Sequence, residues 1–331
     1  MGPLIATPAN NPKHKEDSIS MAFLHHPPHR CVGFDIAKDT IAMSDGGKAV
    51  IIPNRRRQIR SFLRHCDAAL AICEPTGGCE AILIEECLRR ELAVHRADTR
   101  KLKAFIRSRG RLGKSDAIDA REMAAYGMER WACLALWQAE EPSAAKLKAL
   151  VRRRADLVAT RVAEQNRAKA PGAHELAATF KAMLTVINRQ IKSLDQAIDA
   201  LMRTGALKRR GEIATAMQGI GITTAAALLA TMPELGQMDR RQAAALAGLA
   251  PHPNESGNRI GYRRMRGGRP QVRTILFMPA MQVAQGRGEF VAFYKRLIAD
   301  GKKPIIAIAA VMRKIVITLN ARMRDDTIQQ S

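Results

Sequence analysis

Four carboxylates stand where strands and helices should end or begin. Asp35 lies near the end of the apolar run CVGFDI, Glu74 closes ALAICE, and Asp116 and Asp119 open the helical stretch SDAIDAREMAAYGMER. Asp116 and Asp119 are three residues apart, so they share a helix face, at an N-terminal turn that favours negative charge. Carboxylates that converge repel one another unless divalent cations sit between them, and Mg²⁺ or Mn²⁺ takes oxygen ligands of this kind. Two such ions can activate an attacking oxygen and stabilise the leaving oxygen of a phosphodiester. Each acid also has a plainer reading: Asp116 as a helix-start residue behind the N-cap Ser115, Glu74 as a turn carboxylate before Pro75. All four in a strand, strand, helix order favour the metal.

The segment APHPNESGNRIGYRRMRGGRPQVR is the second cluster. Between Gly257 and Arg273 it holds six arginines (Arg259, Arg263, Arg264, Arg266, Arg269 and Arg273) and no acid, among glycines that let a backbone approach phosphates. Ser256 precedes this patch. A hydroxyl there could attack a phosphodiester, with guanidinium groups stabilising the pentavalent transition state. On residue chemistry alone, a hydroxyl that only binds phosphate or caps a turn is the stronger reading. In MQGIGITTAAALLA, Gly219 and Gly221 separate two helical stretches as in a helix-hairpin-helix element, whose second helix offers backbone N–H groups to phosphate; a tight packing turn is the alternative. The run from Arg89 to Lys114 carries ten Lys or Arg against two acids, which suits either a nucleic-acid track or a solvated face.

Composition narrows the class. The 331 residues make about two domains, and 47% hydrophobic residues can build real cores. A formal charge of +23 calls for a polyanion, and 37 Arg against 17 Lys favours bidentate contacts to phosphate and guanine. Aromatics at 4% argue against base stacking as the main mode of binding. The apolar stretch from Pro304 to Asn320 is interrupted by Arg313 and Lys314 and reads as too short and too charged to span a bilayer. No secretory signal is read in the first 29 residues, and the six cysteines form no CxxC pair, which suits reduced cytoplasmic thiols and no membrane partner.

Positioning the acids requires a sheet. Strands are expected at Val32–Ile36, Thr40–Met43 and Ala49–Ile52, separated by AKD and the hairpin signal DGG. A basic helix from Arg55 to His65, the strand ALAIC, a helix from Gly78 to Arg90 and the strand LAVHRA follow. Three antiparallel strands followed by βαβ units is the order of the ribonuclease H superfamily. From Pro142 onward the pattern is helical. Phe180, Leu184, Ile187, Ile191, Leu194, Ile198 and Leu201 form a heptad seam, preceded by a helix from Ser143 to Ala170 that ends at Pro171-Gly172. Such a pair is either an arm that dimerises or an ordinary bundle within one monomer. The fold class read from these elements is α/β plus all-α: a disordered leader (1–29), a ribonuclease H-like (RuvC-like) domain (30–140), a helical coiled-coil arm (141–208) and a helical C-terminal domain (209–325).

In this order the motifs resemble those of insertion-sequence transposases with an N-terminal RuvC-like DEDD domain and a C-terminal serine-bearing transposase domain, a family that includes Piv-type DNA invertases and bridge-RNA-guided recombinases. VGFDIAKDT looks like the first-acid motif, CEPTGG the second, GKSDAIDAREMA the third and fourth, and DRRQAAALAGLAPHPNESGNRIGYRRMRGGRPQVRTIL the serine signature. The likeness runs from Val32 to Ala321. It implies that Asp35, Glu74, Asp116 and Asp119 bind Mg²⁺ and that Ser256 attacks DNA to give a phosphoserine intermediate. Further implications are a homodimer or homotetramer in which one protomer's acids work with another's serine, and a noncoding guide RNA that pairs with double-stranded donor and target DNA. Two departures are Cys79, where the family usually has an aromatic residue, and Arg266, where lysine is common. A junction-resolving nuclease using water, and a nonenzymatic nucleic-acid-binding protein, are the rival readings; a covalent protein–DNA adduct excludes the first, and loss of function with binding retained on changing one acid excludes the second.

Overall fold

The computed structural model describes residues 23–110, 113, 115–256, 259–261 and 263–330, so most of the expected leader lies outside the described residues. The chain divides into two compact units, one ending at Ala139 and the other beginning at Glu140.

The first unit is built on β1 (Cys31–Ile36), β2 (Thr40–Ser44), β3 (Val50–Pro53), α1 (Arg56–Arg64), β4 (Leu70–Cys73), α2 (Ala81–Arg89), β5 (Ala93–Arg96), α3 (Thr99–Ser108) and α4 (Asp116–Arg130). The sheet order is β3-β2-β1-β4-β5, with β1, β2 and β3 antiparallel and β1, β4 and β5 parallel. Alternation along β1 sends Val32, Phe34 and Ile36 to one face, where they bury against Ile59 and Leu63 of α1 and Leu83, Ile84 and Cys87 of α2. Cys31, with Leu70 and Ile72 of β4, takes the other face against Leu102 and Phe105 of α3 and Met123 and Tyr126 of α4. The DGG hairpin turns at Gly46, whose φ of 102° is a glycine conformation. Helix α3 is an addition to the sequence reading, where its residues passed as a basic run. Asp98 caps it by accepting from the N–H groups of Arg100 and Lys101, and Leu102 and Phe105 supply the apolar stripe that the surrounding arginines and lysines obscure.

Helix α4 lies directly on β1. A Cβ placed on Gly33 would stand 2.0 Å from the Ala120 carbonyl oxygen and 2.7 Å from the Ala124 nitrogen, both helix backbone. One placed on Gly127 would stand 2.9 Å from Cys31 Sγ and from Ile72 Cγ1. Glycines at both crossing points bring the helix axis closer to the sheet than any side chain at those positions allows.

The second unit comprises α5 (Pro142–Arg167), α6 (Ala177–Met202), α7 (Gly205–Thr215), α8 (Ile222–Thr231), α9 (Arg240–Leu246), α10 (Pro270–Ala284), α11 (Val291–Ala299) and α12 (Pro304–Gln330). Helices α5 and α6 form an antiparallel hairpin: Arg154 pairs with Asp195, while Arg161, farther along α5, reaches Asn188, farther back on α6, at 3.4 Å. The heptad seam of α6 is turned inward, with Ile187, Ile191 and Ile198 buried. Leu147, Ile198 and Met202 at the base of the hairpin join the same core as α8, α10 and α12. Val162, Leu176, Met183 and Val186 remain exposed.

Two expectations are corrected here. The C-terminal region is not all helical: β6 (Pro251–His252) pairs with β9 (Arg264–Met265), and β7 (Glu255–Ser256) with β8 (Arg259–Ile260), because a glycine-punctuated, β-tolerant run between helices closes into short ladders. The apolar C-terminal stretch also belongs to a longer helix than its composition suggested; α12 is long and apolar enough to cross a membrane by length and composition alone. Its apolar residues have another use, since Ile308, Val311, Ile315, Val316 and Leu319 belong to the buried core of the helical unit.

The contact of α4 with β1 yields a sharp expectation. Gly33→Ala must displace helix backbone, an overpacking that costs about 3 kcal/mol or more. Gly127→Ala meets only side-chain atoms and gains helix propensity, so its loss is about 1 kcal/mol or less. Urea unfolding of the two variants checks the order; equal stabilities would mean that α4 does not rest on β1 at Gly33.

Candidate active site

Strand alternation and register bring the acids together. Asp35 shares the parity of Cys31 and Gly33 on β1, so it emerges on the α4 face. Glu74 follows Cys73 with the parity of Leu70 and Ile72 and emerges on the same face. The parallel register pairs Phe34 with Cys73, so Asp35 and Glu74 come next on neighbouring strands, about 5 Å apart in backbone. Helix α4 runs opposite to β1, with Gly127 beside Cys31 and Ala120 beside Gly33, which carries its first turn, Asp116 and Asp119, to the Asp35 end. Ser115 fixes that turn by accepting the Ile118 N–H at 3.3 Å.

The four acids are close enough to feel one another's charge. Asp35 is pushed up to about 6, first by burial and then by the negative charges of Asp116, Asp119 and Glu74. The donor chemistry suits a hard divalent cation: carboxylate oxygens only, with Asp35, Glu74 and Asp119 partly buried and Asp116 exposed, the other three each raising the cost of ionising Asp35. Among the described residues no three acids, histidines or cysteines stand close enough to form a ready-made metal cage.

The loop after Glu74 has its own scaffold, which sequence reasoning missed. Glu80 is buried, and its Oε2 accepts from the Thr76 N–H at 3.1 Å, the Thr76 hydroxyl at 2.9 Å and the Gly78 N–H at 2.9 Å. Arg96 faces Glu80 Oε1 at 3.4 Å. Asn54 donates to the Ala37 carbonyl at 3.0 Å and to the Cys79 carbonyl at 3.2 Å, tying the segments after Asp35 and after Glu74 to one side chain. Gly77 and Gly78 have φ of 74° and 115°, open to glycine and strained for other residues. The available signal was the second glutamate of CEPTGGCE, six residues after the first.

In the second unit, Ser256 lies in β7 with its Cα in register with Arg259. The side chains of both, like Lys114 as a whole, lie outside the described residues. Arg264 and Arg266 are exposed, as is Arg263. Arg269 and Arg273 also have partners within the protein. Arg269 forks onto Glu234 at 2.6 and 2.7 Å and also reaches the Thr231 carbonyl, while Arg273 donates to the Gly248 carbonyl at 3.2 Å and the Gly267 carbonyl at 3.4 Å. A loop this rich in glycine needs internal anchors, and these two guanidinium groups provide them. Gly219, with φ of 89°, makes the turn before α8, and Gly221 is that helix's N-cap. The basic run divides similarly: Arg89 pairs with Glu86 and Arg109 with Glu122 and Glu129, whereas Lys101, Lys103 and Arg107 project outward.

Comparison with known proteins covers both units. Residues 32–171 match a family model described as a transposase with the DEDD and IS110 designations, and residues 211–295 match the model of the transposase IS116/IS110/IS902 family. The pilin gene-inverting protein of Moraxella bovis is 30% identical over 228 residues, covering 67% of this chain and 70% of that protein. An uncharacterized 43.6 kDa protein of insertion element IS110 from Streptomyces coelicolor is 31% identical over 150 residues, 45% of this chain. The chain spans 36% of the length of that Streptomyces relative.

The electrostatics at Asp35 make a prediction about stability. A carboxyl whose pKa rises from 3.8 unfolded to about 6 folded makes the native state bind more protons between those values, so stability falls as pH rises through that window and stays lower above it. At pH 7.5 Asp35→Asn therefore stabilises the metal-free protein; the two-unit shift corresponds to about 3 kcal/mol, reduced to about 1 kcal/mol because the carboxyl is half open to solvent. Thermal unfolding should show this gain at pH 7.5 and none near pH 4. A gain of the same size at both would remove the repulsion as its cause.

Proposed function

Because the chain belongs to the IS116/IS110/IS902 family of transposases, we propose that it cuts and rejoins DNA strands at specific sites, with Asp35, Glu74, Asp116 and Asp119 as the metal-holding acids and Ser256 as nucleophile. The observation that carries this reading is the convergence of those four carboxylates at one end of β1 and α4, in a chain of formal charge +23. A five-stranded sheet in the order β3-β2-β1-β4-β5 supports a RuvC-like identity for the first unit.

Mg²⁺ or Mn²⁺, when bound, would neutralise the phosphate and lower the barrier to forming an oxyanion. The protein's residues do the rest. Asp35 and Glu74, from neighbouring strands, and Asp116 and Asp119, from one helical turn, would supply the oxygen donors. The Ser256 hydroxyl gives up its proton as Oγ forms a bond to phosphorus and the bond from phosphorus to a sugar oxygen breaks, and the freed sugar oxygen takes up a proton to become a hydroxyl. Attack of a sugar hydroxyl on the phosphoserine reverses those changes and rejoins a strand, so backbone energy is conserved without a nucleotide cofactor. Arg263, Arg264 and Arg266, which follow Ser256 closely in the chain, would bind the flanking phosphates, with Arg259 in register beside Ser256.

The partners in this reading are double-stranded donor and target DNA, a noncoding guide RNA and further copies of the chain. The arginine surplus supports the nucleic acids. The exposed Val162, Leu176, Met183 and Val186 on the α5–α6 hairpin support a homodimer or homotetramer, since isolated helical hairpins rarely leave such a set uncovered. Pilin gene inversion, in the name of the Moraxella relatives, supports site-specific rejoining over simple cleavage.

The serine is tested by trapping. With a nicked recombination site that prevents rejoining, wild type should form a denaturant-resistant protein–DNA adduct, and Ser256→Ala should form none while binding DNA within about threefold, a difference near the 0.6 kcal/mol of thermal energy. Cleavage by Ser256→Ala at the wild-type rate would establish water as nucleophile and a nuclease instead. Purified protein treated with RNase should lose recombination; unaltered recombination would remove the guide RNA.

A further inference from the structure

The Glu74 motif contains two glutamates, and chemistry alone does not say which one serves the reaction. Their surroundings separate them. Glu74 follows β4 directly and its charge reaches Asp35. Glu80 lies six residues on, just before α2, with only 6% of its side chain exposed. One of its oxygens accepts from three donors of the loop it closes, and the other faces Arg96. A carboxylate so engaged has few lone pairs left for a metal ion. Burial alone would raise its pKa; hydrogen bonds from the loop outweigh that and hold it below the usual carboxylate range, so it is a stable anion at neutral pH.

The loop needs such a centre. Only five residues join Glu74 to Glu80, and two of them, Gly77 and Gly78, lie in the left-handed region, where their freedom when unfolded is large. The Gly78 N–H and the Thr76 N–H and hydroxyl gather on Glu80 Oε2. Arg96 is aligned by the sheet itself: it stands opposite Cys73 in the β4–β5 register, next to the point where Glu74 leaves the strand. A path of direct contacts therefore runs from β5 through Arg96 and Glu80 to the loop that sets the direction of Glu74. Asn54 adds a second tether at Cys79.

We propose that Glu80, held by Arg96, is a positioning residue for the DNA chemistry: its carboxylate shapes the 74–79 loop so that Glu74 is presented to Asp35, and it takes no part as a metal ligand. This rests on the reading of Glu74 as one of the metal-holding acids. Glu80→Gln can keep its oxygen on the Thr76 and Gly78 donors and loses only the pairing with Arg96. Glu80→Ala loses both. Residues that orient metal-holding side chains typically change metal affinity or activity by about 10- to 100-fold when removed.

The experiment measures Mn²⁺ binding to the full chain by electron paramagnetic resonance, amide hydrogen exchange in residues 74–79, DNA affinity and strand cleavage, for wild type, Glu80→Gln, Glu80→Ala and Arg96→Ala. Glu80→Ala should bind Mn²⁺ at least about tenfold more weakly and cut at least about tenfold more slowly, with faster exchange confined to the loop and DNA affinity unchanged. Glu80→Gln should recover most of both, and Arg96→Ala should fall between. If wild type binds no Mn²⁺, the metal reading of the acids fails and this role falls with it. If wild type binds Mn²⁺ and folded Glu80→Ala binds it equally and cuts at the same rate, only the role of Glu80 is overturned. Weaker Mn²⁺ binding by Glu80→Gln equal to that of Glu80→Ala, with loop exchange unchanged, would make Glu80 a ligand and overturn the proposal in the opposite sense.

Discussion

The closeness of α4 to β1 is the constraint on which the acid cluster depends. Helices normally rest on a sheet about 10 Å away, with side chains between the two backbones. Here a glycine on the strand meets the helix backbone itself, at Ala120 and Ala124, and a glycine on the helix meets Cys31 and Ile72 of the sheet. Two contacts on one helix fix both its height and its direction. Asp119 precedes the residue that touches Gly33, and Asp35 lies two residues beyond Gly33 on the same face, so one packing decision sets the distance between acids from separate elements. The result is electrostatically unfavourable for Asp35, whose carboxyl burial first, and then the charges of Asp116, Asp119 and Glu74, push upward. A fold selected for stability alone would separate these charges; clustering them at a helix start that apolar contacts hold in place is what a functional site requires.

Positive charge is organised by the opposite logic. A surplus of arginine does not make every arginine a ligand for nucleic acid. Glu86, almost fully buried, is gripped by Arg56 at 2.7 Å and Arg60 at 2.9 Å, which fastens α1 to α2. Glu122, also buried, is held by Arg109 at 2.8 Å between α4 and the end of α3. Arg269 fastens the loop before α10 to Glu234. Burying a carboxylate without such partners would cost several kcal/mol. These arginine-neutralised carboxylates contrast with Asp35, which burial first, and then the negative charges of Asp116, Asp119 and Glu74, push upward.

Much of the first unit was legible because strands announce themselves by alternation and by turns. The three antiparallel strands, the ALAIC strand and the helix opened by Ser115 were all readable within a few residues, and Asp35 and Glu74 drew notice because they stand at strand ends. Helix α3 was not readable as a helix, because its apolar stripe of Leu102 and Phe105 is narrow and basic residues dominate its composition. The heptad seam of α6 was visible, but a seam of period 3.5 does not say whose helix fills it; α5 of the same chain does. The short ladders around Ser256 carry too few residues for alternation to show, and the length of α12 was hidden by reading Arg313 and Lys314 as breaks when both fit on its less buried side.

Contacts that depend on backbone shape were the least legible part of the site. Glu80, Asn54 and Gly33 are ordinary residues in sequence, and each acts on main-chain atoms whose positions exist only after folding. The same dependence bears on the cysteine at position 79. An aromatic ring there would contribute packing, and Cys79 still packs its half-buried side chain against the α1–α2 core. The loop itself is held through the Cys79 carbonyl by Asn54 and through the Thr76 and Gly78 N–H groups by Glu80, none of which involves the side chain at 79. A substitution that looks serious in the motif therefore removes apolar contact area and leaves the hydrogen bonds that set the direction of Glu74 intact.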